Sequence, residues 1–568
     1  MPPAPAGACF CSIENDFAMI APRAAVATPH PDATRAARDI LESGGNGFDA
    51  AVAAMLTLCV VQSHQVGLGG YGGNLVAYVA AKNKVISIDF DSRAPYAFDP
   101  SLFTNPSDRD IGYKSISVPA VLAGLDLTLT TYGTRPWSAV TARAIEFAEH
   151  GFPTDEPTAR YLQSWTEKTD PESRKHLFPS SPDVPKQNDP WIQKDLANLL
   201  RRIAADGASA FYTGDVARQI ISHIRSHGGI LSERDFAEYR AQIVAPVCAT
   251  YHDHQIYMPP PPGGGITTLQ ILKVLEHFDP RNLEPYSAEY FHLLAQAIHL
   301  CWADRTKFLG DPDVNEIPLA DLLSNSNTRT KAQQISLLSP QGERQGEGRN
   351  ARSPQTPPHD RMNHTANVTI LDQFGNLVSI TATQGMVFGS QVVIPGTGLI
   401  MNHGMSRFDY DNPSLPNAPQ PGKRMHHNMA PTIVLAPAAR GSAPQDSALS
   451  TQHSPKPRFA CGLPGGTKII TVTAQLLINF IDYHTNPSDC ILSPRIHTEP
   501  GEPLSVSSKV PDSVIAQLKS VGHTVIRGQT VGGDKREIAG NANALAIDPT
   551  TRVPSAASQA SPDSAQVF

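Results

Sequence analysis

Residues 363–389 read NHTANVTILDQFGNLVSITATQGMVFG and hold two β-rich runs joined by a short turn. The runs are residues 366–371 and 377–383, and the turn between them is DQFGN, residues 372–376. Apolar side chains alternate with threonine, serine and asparagine along both runs, which is the period of a β-strand. The stretch predicts a β-hairpin with one apolar face and one face of hydroxyl and amide groups, an unusual pattern for deeply buried strands.

The turn decides which residues of the two strands face each other. A three-residue loop with Gly375 in the left-handed conformation sets Asp372 opposite Asn376. The same register sets Thr365 opposite Thr383, with Cβ atoms about 5 Å apart. A threonine at the head of a strand, beside a second threonine, is what an N-terminal nucleophile requires, because a chain-terminal amine can take the proton of its own hydroxyl.

The composition predicts a globular chain with many loops and no basic surface. Hydrophobic residues make up 40% of the 568 residues, charged residues make up 17%, and prolines number 50. A net charge of −7 and a pI near 6.3 provide no positive field for nucleic acid or an anionic membrane. No run approaches the roughly 18 apolar residues of a membrane span, and the first residues lack a secretory signal. We therefore expect a soluble cytoplasmic protein.

Helices and strands are predicted on both sides of the hairpin from apolar periodicity, capping residues and turn signals. The predicted helices cover residues 33–42, 48–62, 119–132, 138–150, 191–204, 213–227, 266–278, 288–308, 470–484 and 512–521. The predicted strands cover residues 74–80, 84–90, 243–251, 254–258, 432–435, 459–461, 504–506, 524–527 and 541–547. Both kinds of element are spread along the chain, which predicts an α/β protein.

Three patterns that often mark ligand sites have structural explanations here. Gly67, Gly69 and Gly72 form a literal GxGxxG, but the order is helix, loop, strand, whereas dinucleotide binding needs strand, loop, helix. We expect close backbone packing at these glycines. His252 and His254 alternate beside a turn without an evident third ligand, so we expect them to be solvated. The seven cysteines are scattered and are expected to be free thiols.

The chain resembles the gamma-glutamyltransferase family of N-terminal-nucleophile hydrolases from about residue 25 to residue 547. The matching stretches stand in the family's order: GGNGFDAAVAAMLTLCVVQSH (44–64), GLGGYGG (67–73), YMPPPPGGGITTLQIL (257–272), TANVTILDQFGNLVSIT (365–381) and LPGGTKII (463–470). The resemblance implies a four-layer αββα sandwich made as a precursor that cuts itself between His364 and Thr365. It implies no cofactor and no metal.

The resemblance also divides the chain. Residues 1–24 would be a lead-in, and residues 25–364 the large subunit, ending in a polar flexible linker at 336–362. Residues 365–550 would be the small subunit with an insertion at 436–458, and residues 551–568 a disordered tail. The two subunits of one precursor would form a heterodimer that binds a small-molecule amide substrate, with no nucleic acid and no membrane as partner.

The catalytic roles follow from the resemblance residue by residue. Thr365 would be the nucleophile, and Thr383 would orient its hydroxyl. Gly465 and Gly466 would supply the backbone N–H groups of the oxyanion hole. The α-amine freed at Thr365 has an ordinary pKa of about 7.7–8.0, which suits a general base at neutral pH.

The substrate-binding positions depart from the family pattern. The family's arginine that binds the α-carboxylate of the γ-glutamyl group corresponds to Asp91, with Arg93 two residues further on. The family's aspartate that pairs with the α-amine corresponds to Arg407. The two carboxylate-binding serines correspond to His427 and Asn428, and an asparagine after the second threonine corresponds to a glycine, Gly385.

Three functions remain open on these residues. In the first, Arg93 replaces the missing arginine and the chain cleaves γ-glutamyl, glutathione-like amides. Alternatively, Arg407 with His427 and Asn428 holds the carboxylate of an acyl group without an α-amine, as in acylase-like amidohydrolases. The third is an inactive pseudoenzyme that serves as a binding protein.

Overall fold

A computed structural model describes residues 23–169, 171–178, 183–335, 337, 365–436, 455–528, 538 and 540–568. His364 lies outside the described residues, as do residues 1–22 of the lead-in, nearly all of the linker 336–362 and most of the insertion 436–458. Both strands of the hairpin and the two predicted oxyanion glycines lie inside them.

The first sheet contains the hairpin. Its seven described strands are β1 (Ala25–Ala27), β2 (Gly72–Val79), β3 (Lys84–Asp91), β6 (Gln242–Val244), β9 (Thr365–Leu371), β10 (Leu377–Thr383) and β20 (Ala565–Val567). They are antiparallel and lie in the order β20-β1-β9-β10-β2-β3-β6. The hairpin is therefore central in its sheet.

The second sheet is also antiparallel. Its six described strands are β7 (Val247–Tyr251), β8 (His254–Met258), β13 (Thr432–Ala436), β14 (Lys456–Gly462), β18 (Asn543–Ile547) and β19 (Pro554–Ser558). They lie in the order β19-β18-β14-β13-β8-β7. Smaller pairings join β4 (Phe152–Pro153) to β5 (Pro190–Trp191), β11 (Val393–Ile394) to β12 (Leu399–Ile400), and β15 (Ile496–His497) and β17 (Val525–Arg527) to β16 (Leu504–Val506).

Helices cover the outer face of each sheet. Those before the hairpin are α1 (Pro31–Glu42), α2 (Gly47–Val61), α3 (Val121–Tyr132), α4 (Trp137–Val140), α5 (Ala142–His150), α6 (Glu156–Lys168), α7 (Pro171–Leu177), α8 (Lys194–Asp206), α9 (Ser209–Tyr212), α10 (Gly214–Ser226), α11 (Glu233–Glu238), α12 (Gly265–Leu275), α13 (Ala288–Phe308), α14 (Leu319–Leu322) and α15 (Asn325–Ala332). Those after it are α16 (Lys468–Ile481), α17 (Pro487–Leu492) and α18 (Asp512–Ser520). None of the described helices is both long and apolar enough to cross a membrane.

The buried apolar residues of the described ranges form three layers and a separate cluster that includes Tyr71, Met405 and Phe408. One lies between the first sheet and helices such as α2 and α3, and one between the second sheet and α12, α13 and α16. A smaller layer lies between the sheets and includes Val76, Leu377, Ile433 and Leu545. The order helix, sheet, sheet, helix is the αββα sandwich that the sequence predicted.

The predicted hairpin is confirmed in its strands, turn and register. The N–H of Asp372 donates to Asn376 O at 3.1 Å, and the N–H of Asn376 donates to Asp372 Oδ1 at 2.8 Å. Gly375 has φ +86°, the left-handed conformation that its turn position required. Thr365 pairs with Thr383 in the ladder.

The hydroxyl face of the hairpin is buried because it faces the second sheet. Every residue of β9 and β10 is buried. The apolar face packs on the helices. On the polar face, Asn367 Nδ2 donates to Ser379 Oγ and Thr381 Oγ1, and Ser379 Oγ donates to Cys461 O of β14 at 3.1 Å. A polar face can be buried when its groups find partners across the gap.

The predicted disordered tail, residues 551–568, is wrong for most of its length. Its residues form β19 and β20, and β20 pairs with β1 along Ala25–Ala27. The N–H groups of Arg23 and Ala24 donate to Phe568 O at 3.1 and 3.0 Å. The small polar residues of this segment predicted a disordered tail. The sheet holds the segment through backbone hydrogen bonds, which a side-chain pattern does not reveal.

The predicted strand at residues 243–251 is two strands in different sheets. Pro246 separates β6, at the edge of the first sheet, from β7, at the edge of the second. Proline has no N–H to donate to a ladder, so the chain changes sheets there.

Candidate active site

The two threonines form a hydroxyl pair at one end of the face between the sheets. Thr365 Oγ1 donates to Thr383 Oγ1 at 3.2 Å, and both residues are buried. The N–H of Gly385 donates to the same Thr383 oxygen at 2.9 Å. Thr383 is thereby fixed by the backbone that follows β10 and holds the Thr365 hydroxyl in one direction.

Gly385 is a position that only glycine fits. Its φ is +99°, and a Cβ atom there would overlap the ring of His403. The ring in turn accepts the N–H of Met386 on Nε2 at 2.6 Å. The glycine at this position therefore lets the His403 ring pack over the chain beside Thr383.

Gly465 and Gly466 lie in the loop between β14 and α16. Their φ angles are +150° and +61°, conformations that favour glycine. Among the described residues, neither N–H donates a hydrogen bond to the protein. The loop leaves β14 at Gly462, which packs against the side chain of Asn367, two residues from Thr365. Two adjacent N–H groups without protein acceptors can bind an oxyanion.

Asp91 and His427 form a buried pair, although 336 residues separate them. His427 Nε2 lies 2.6 Å from Asp91 Oδ2, and both side chains are at most 1% exposed. His427 Nδ1 accepts the N–H of Met429 at 3.1 Å, which assigns the ring proton to Nε2. Burial lowers the pKa of His427 to about 3 and raises the pKa of Asp91 to about 7. The neutral ring therefore donates to the Asp91 carboxyl.

Asn428 is also held by the protein. Arg305 donates from Nη2 to Asn428 Oδ1 and to His427 O, both at 2.8 Å. Arg305 is 3% exposed, and burial lowers its pKa to about 9. Both predicted binding residues, His427 and Asn428, thus have partners within the chain.

Behind Asp91 lies an ionic cluster centred on Arg424. Its guanidinium contacts Asp89 Oδ2 at 2.7 Å, Asp311 Oδ1 at 2.8 Å and Asp313 Oδ2 at 3.0 Å. The N–H of Asp91 donates to Asp89 Oδ1 at 2.9 Å. One arginine therefore serves three carboxylates, and burial raises the pKa of Asp89 to about 7.

The two remaining predicted binding residues point in different directions. Arg93 contacts Asp313 Oδ2 at 3.4 Å and donates to Gly422 O at 3.3 Å. Arg407 lies over the ring of Tyr71, with Cζ 5.9 Å from the ring centre, and its Nη2 is 3.4 Å from His403 Nε2. No ion pair joins Arg407 to a carboxylate of the described residues, and its buried Nε has no hydrogen-bond partner among them.

Comparison with known proteins places this site in a family. The family model described as Gamma-glutamyltranspeptidase matches residues 33–567. The chain belongs to the gamma-glutamyltranspeptidase family. A glutathione hydrolase proenzyme of Bacillus subtilis is 31% identical over 92% of this chain and 87% of its own. An acylase ACY 1 proenzyme of a Pseudomonas species is also 31% identical, over 91% and 90%.

The fold agrees with this membership. The crystal structure of a cephalosporin acylase from Bacillus halodurans is similar with a TM-score of 0.81 and 25% identity, over 96% of each chain. The gamma-glutamyltranspeptidase family comprises N-terminal-nucleophile hydrolases, so this chain is an enzyme of that kind with an α/β sandwich fold.

Sequence reasoning missed several residues of the site. Asn74, His403 and the Arg424 cluster were not singled out, and Asp91 was treated only as a missing arginine. The alternation along β3 could have signalled Asp89 and Asp91 as one face of a strand. The partners of that face come from distant segments, and no sequence pattern shows them. His252 and His254 belong to no three-residue metal-ligand group among the described residues.

Proposed function

We propose that this member of the gamma-glutamyltranspeptidase family is a self-processing threonine hydrolase. It cleaves γ-glutamyl or related acyl-amide bonds through an acyl ester on Thr365. The observation that carries the proposal is the hydroxyl pair of Thr365 and Thr383 at the head of β9. The names of the Bacillus and Pseudomonas relatives, both proenzymes, support a processing step.

Maturation begins with the Thr365 hydroxyl. Its oxygen attacks the carbonyl carbon of His364, the bond to the Thr365 nitrogen breaks, and that nitrogen takes a proton. The result is an ester between residues 364 and 365 with a free α-amine at Thr365, and water hydrolyses this ester to a new carboxylate and the restored Thr365 hydroxyl. Thr383 positions the attacking oxygen, and no second side-chain base is needed.

Turnover uses the amine that maturation creates. The α-amine removes the proton of the Thr365 hydroxyl, whose oxygen attacks the substrate amide carbon. The N–H groups of Gly465 and Gly466 stabilise the oxyanion, a contribution of about 3–4 kcal/mol per donor in comparable sites. The leaving amine departs with the proton, and water releases the acyl group. We infer hydrolysis as the normal fate of the ester.

The acylase alternative has one specific observation in its favour. A neutral histidine and an acidic residue, His427 and Asp91, occupy positions where the resemblance placed carboxylate-binding groups. An acyl group that is bound as in glutathione hydrolases would meet an acid, Asp91, where the resemblance placed an arginine. The acylase alternative therefore predicts an acyl specificity different from that of a glutathione hydrolase.

The test compares purified wild-type protein with Thr365→Ala and Thr365→Ser. Wild type is expected as two bands on a denaturing gel, with mass spectrometry placing Thr365 at a new N-terminus, and as an active hydrolase of acyl 4-nitroanilides. Thr365→Ala is expected as one band near 61 kDa without activity. Thr365→Ser, which keeps a hydroxyl, is expected to retain both functions in part.

Thr383→Ala provides a graded control. Loss of one hydrogen bond to the nucleophile is worth about 1–3 kcal/mol, so maturation and turnover slow by roughly 10- to 100-fold without stopping. A Thr365→Ala protein that still splits, or an intact wild-type chain that hydrolyses the anilides, contradicts the proposal. An intact and inactive wild type indicates the pseudoenzyme.

A further inference from the structure

Two histidines lie one helical turn apart at the end of α10. His223 belongs to the last turn of this helix, and His227 is the residue that caps it. Side chains four positions apart project from the same face of a helix, and the centres of these two rings are 4.5 Å apart. Two histidines at this spacing on one helix can bind a single metal ion, as they do in many zinc sites.

Glu172 of α7 faces the two histidines. Its Oε2 lies 3.5 Å from His227 Nε2, and one ligand atom from each of Glu172, His223 and His227 lies within 4.8 Å of the other two. In a tetrahedral zinc site, two ligand atoms that are each about 2.0–2.1 Å from the metal are about 3.4 Å apart. The three side chains therefore need little movement to surround one ion. The Glu172 side chain is 50% exposed, so water can take the fourth position.

The His227 ring has the orientation that a metal ligand requires. Its Nδ1 lies 2.8 Å from His223 O, and because a carbonyl oxygen only accepts, Nδ1 carries the proton and Nε2 has a lone pair directed towards Glu172. A backbone carbonyl on the second ring nitrogen is a usual outer partner of a metal-bound histidine. The ring of Tyr113 stacks on the His227 ring with centres 4.5 Å apart, and its hydroxyl lies 3.3 Å from His223 Nε2.

The Glu172 carboxylate is also held by an outer partner. His176, one turn further along α7, places its Nε2 3.8 Å from Glu172 Oε1, so the two carboxylate oxygens face different histidines. Two imidazoles and one carboxylate suit Zn²⁺ and similar transition metals, whereas Mg²⁺ and Ca²⁺ prefer oxygen ligands alone.

We propose that Glu172, His223 and His227 form a Zn²⁺-binding site that joins α7 to α10. The three residues lie outside the candidate active site, and the proposed hydrolysis needs no metal, so the role of the ion is structural. Ser173 Oγ of α7 accepts the N–H of Val393 in β11 at 3.4 Å. An ion between α7 and α10 therefore also stabilises the packing of α7 on the segment that follows β10.

The experiment measures zinc binding to wild-type protein without an affinity tag, after dialysis against EDTA. Isothermal titration calorimetry with zinc chloride is expected to show one saturable site per chain. Co²⁺ is expected to give the visible absorption bands of a tetrahedral complex. Zinc at 100 times its Kd should raise the unfolding midpoint by about 2 °C. Basic residues at a helix C-terminus are also favourable without a metal, and a wild type that binds no zinc would show that only this role exists and overturn the proposal.

Variants assign the ligands. His227→Ala and Glu172→Gln are each expected to lower the affinity for zinc by at least about tenfold, because even the outer partners of metal ligands contribute about 10- to 100-fold. His150→Ala is the matched control. His150 is an exposed histidine 3.9 Å from Glu149 Oε2, and it belongs to no three-residue ligand group within the described ranges. Its removal should leave binding unchanged, and an equal loss in all three variants overturns the assignment.

A second group of three metal-ligating side chains competes with this site among the described residues. It consists of His497, Glu499 and Glu502. Zinc that His227→Ala and Glu172→Gln both retain overturns the proposal, and its loss in His497→Gln would then place the ion at the second group. Circular dichroism of each variant shows that it has folded.

This inference does not depend on the proposed function. Zinc binding and the cobalt spectrum are measured in the same way on a cleaved or an intact chain. A wild type that does not split yet binds one zinc contradicts the proposed function alone. A mature and active wild type that binds no zinc overturns the metal site alone.

Discussion

At the scale of single residues, this site depends on glycines whose lack of a side chain lets neighbouring groups pack closely. Gly385 permits His403 to pack beside Thr383, and Gly72 lets β2 approach the backbone of Phe90 and Asp91 in β3. Both have positive φ angles, +99° and +138°. The absence of a side chain at these two positions shapes the site as much as the threonines do.

Gly385→Ala should damage the site more than strain alone explains. The new Cβ would overlap the His403 ring and move the N–H that donates to Thr383. We expect a loss of activity of at least about 100-fold. Gly522→Ala is the matched control, because Gly522 has the same φ of +99° and nothing within 4 Å of its Cβ position. That change should cost about 1–2 kcal/mol in the free energy of unfolding and leave kcat/KM unchanged. Equal activity losses in the two variants would refute the role of Gly385.

At the scale of elements, the hairpin is joined to a helix as well as to its neighbouring strands. Asp372 accepts the N–H groups of Phe374 and Asn376 within its own turn, at 3.0 and 2.8 Å. Its second oxygen accepts the N–H of Gly47 at 2.7 Å, at the first residue of α2. A carboxylate at a helix N-terminus is favourable, so this one residue fixes the turn and its packing on α2.

Asp372→Ala should lower thermal stability more than the same change in an exposed turn. It removes these bonds and leaves buried donors unsatisfied, at a cost of about 2–4 kcal/mol. Asp548→Ala removes a comparable set of turn bonds, to Thr550 and Thr551, from an exposed position and should cost about 1 kcal/mol or less. Unfolding followed by circular dichroism or calorimetry gives both values. If the unfolding midpoints of the two variants fall equally, the hydrogen bond between Asp372 and Gly47 of α2 does not contribute to stability.

At the scale of the whole molecule, residues before and after the proposed cleavage point share both sheets. In the first sheet, β9 and β10 lie between β1 and β2. In the second, β13 pairs with β8. The break between residues 364 and 365 would therefore cut no ladder, and most of the core would stay buried.

The mature subunits should remain associated without a covalent link. Gel filtration is expected to give one peak near 61 kDa, while a denaturing gel of that peak shows two bands. Separation should require denaturant, because it exposes the strand edges and the apolar layer between the sheets. Two peaks in plain buffer would show that the subunits do not share their sheets as the structure has them.

The sequence by itself determined the hairpin and its register. The turn DQFGN is local, and Gly375 at its left-handed position leaves one pairing of the strands, which sets Thr365 against Thr383. The order of motifs along the chain determined the fold class in the same way. The hairpin depends on residues a few positions apart, and the fold class follows from the order of sequence motifs. Both can be inferred without knowing which distant segments meet.

Only the tertiary structure decided what surrounds the threonines. Asp91 meets His427 across 336 residues, Arg93 turns to Asp313, and the last residues form β20 beside β1. Each of these contacts depends on where distant segments meet in the sandwich, and a buried charge takes its partner and its pKa from that meeting. The residues next to each contact in the sequence do not predict it. The departure from the family pattern at Asp91 could therefore be interpreted only together with its partner, His427.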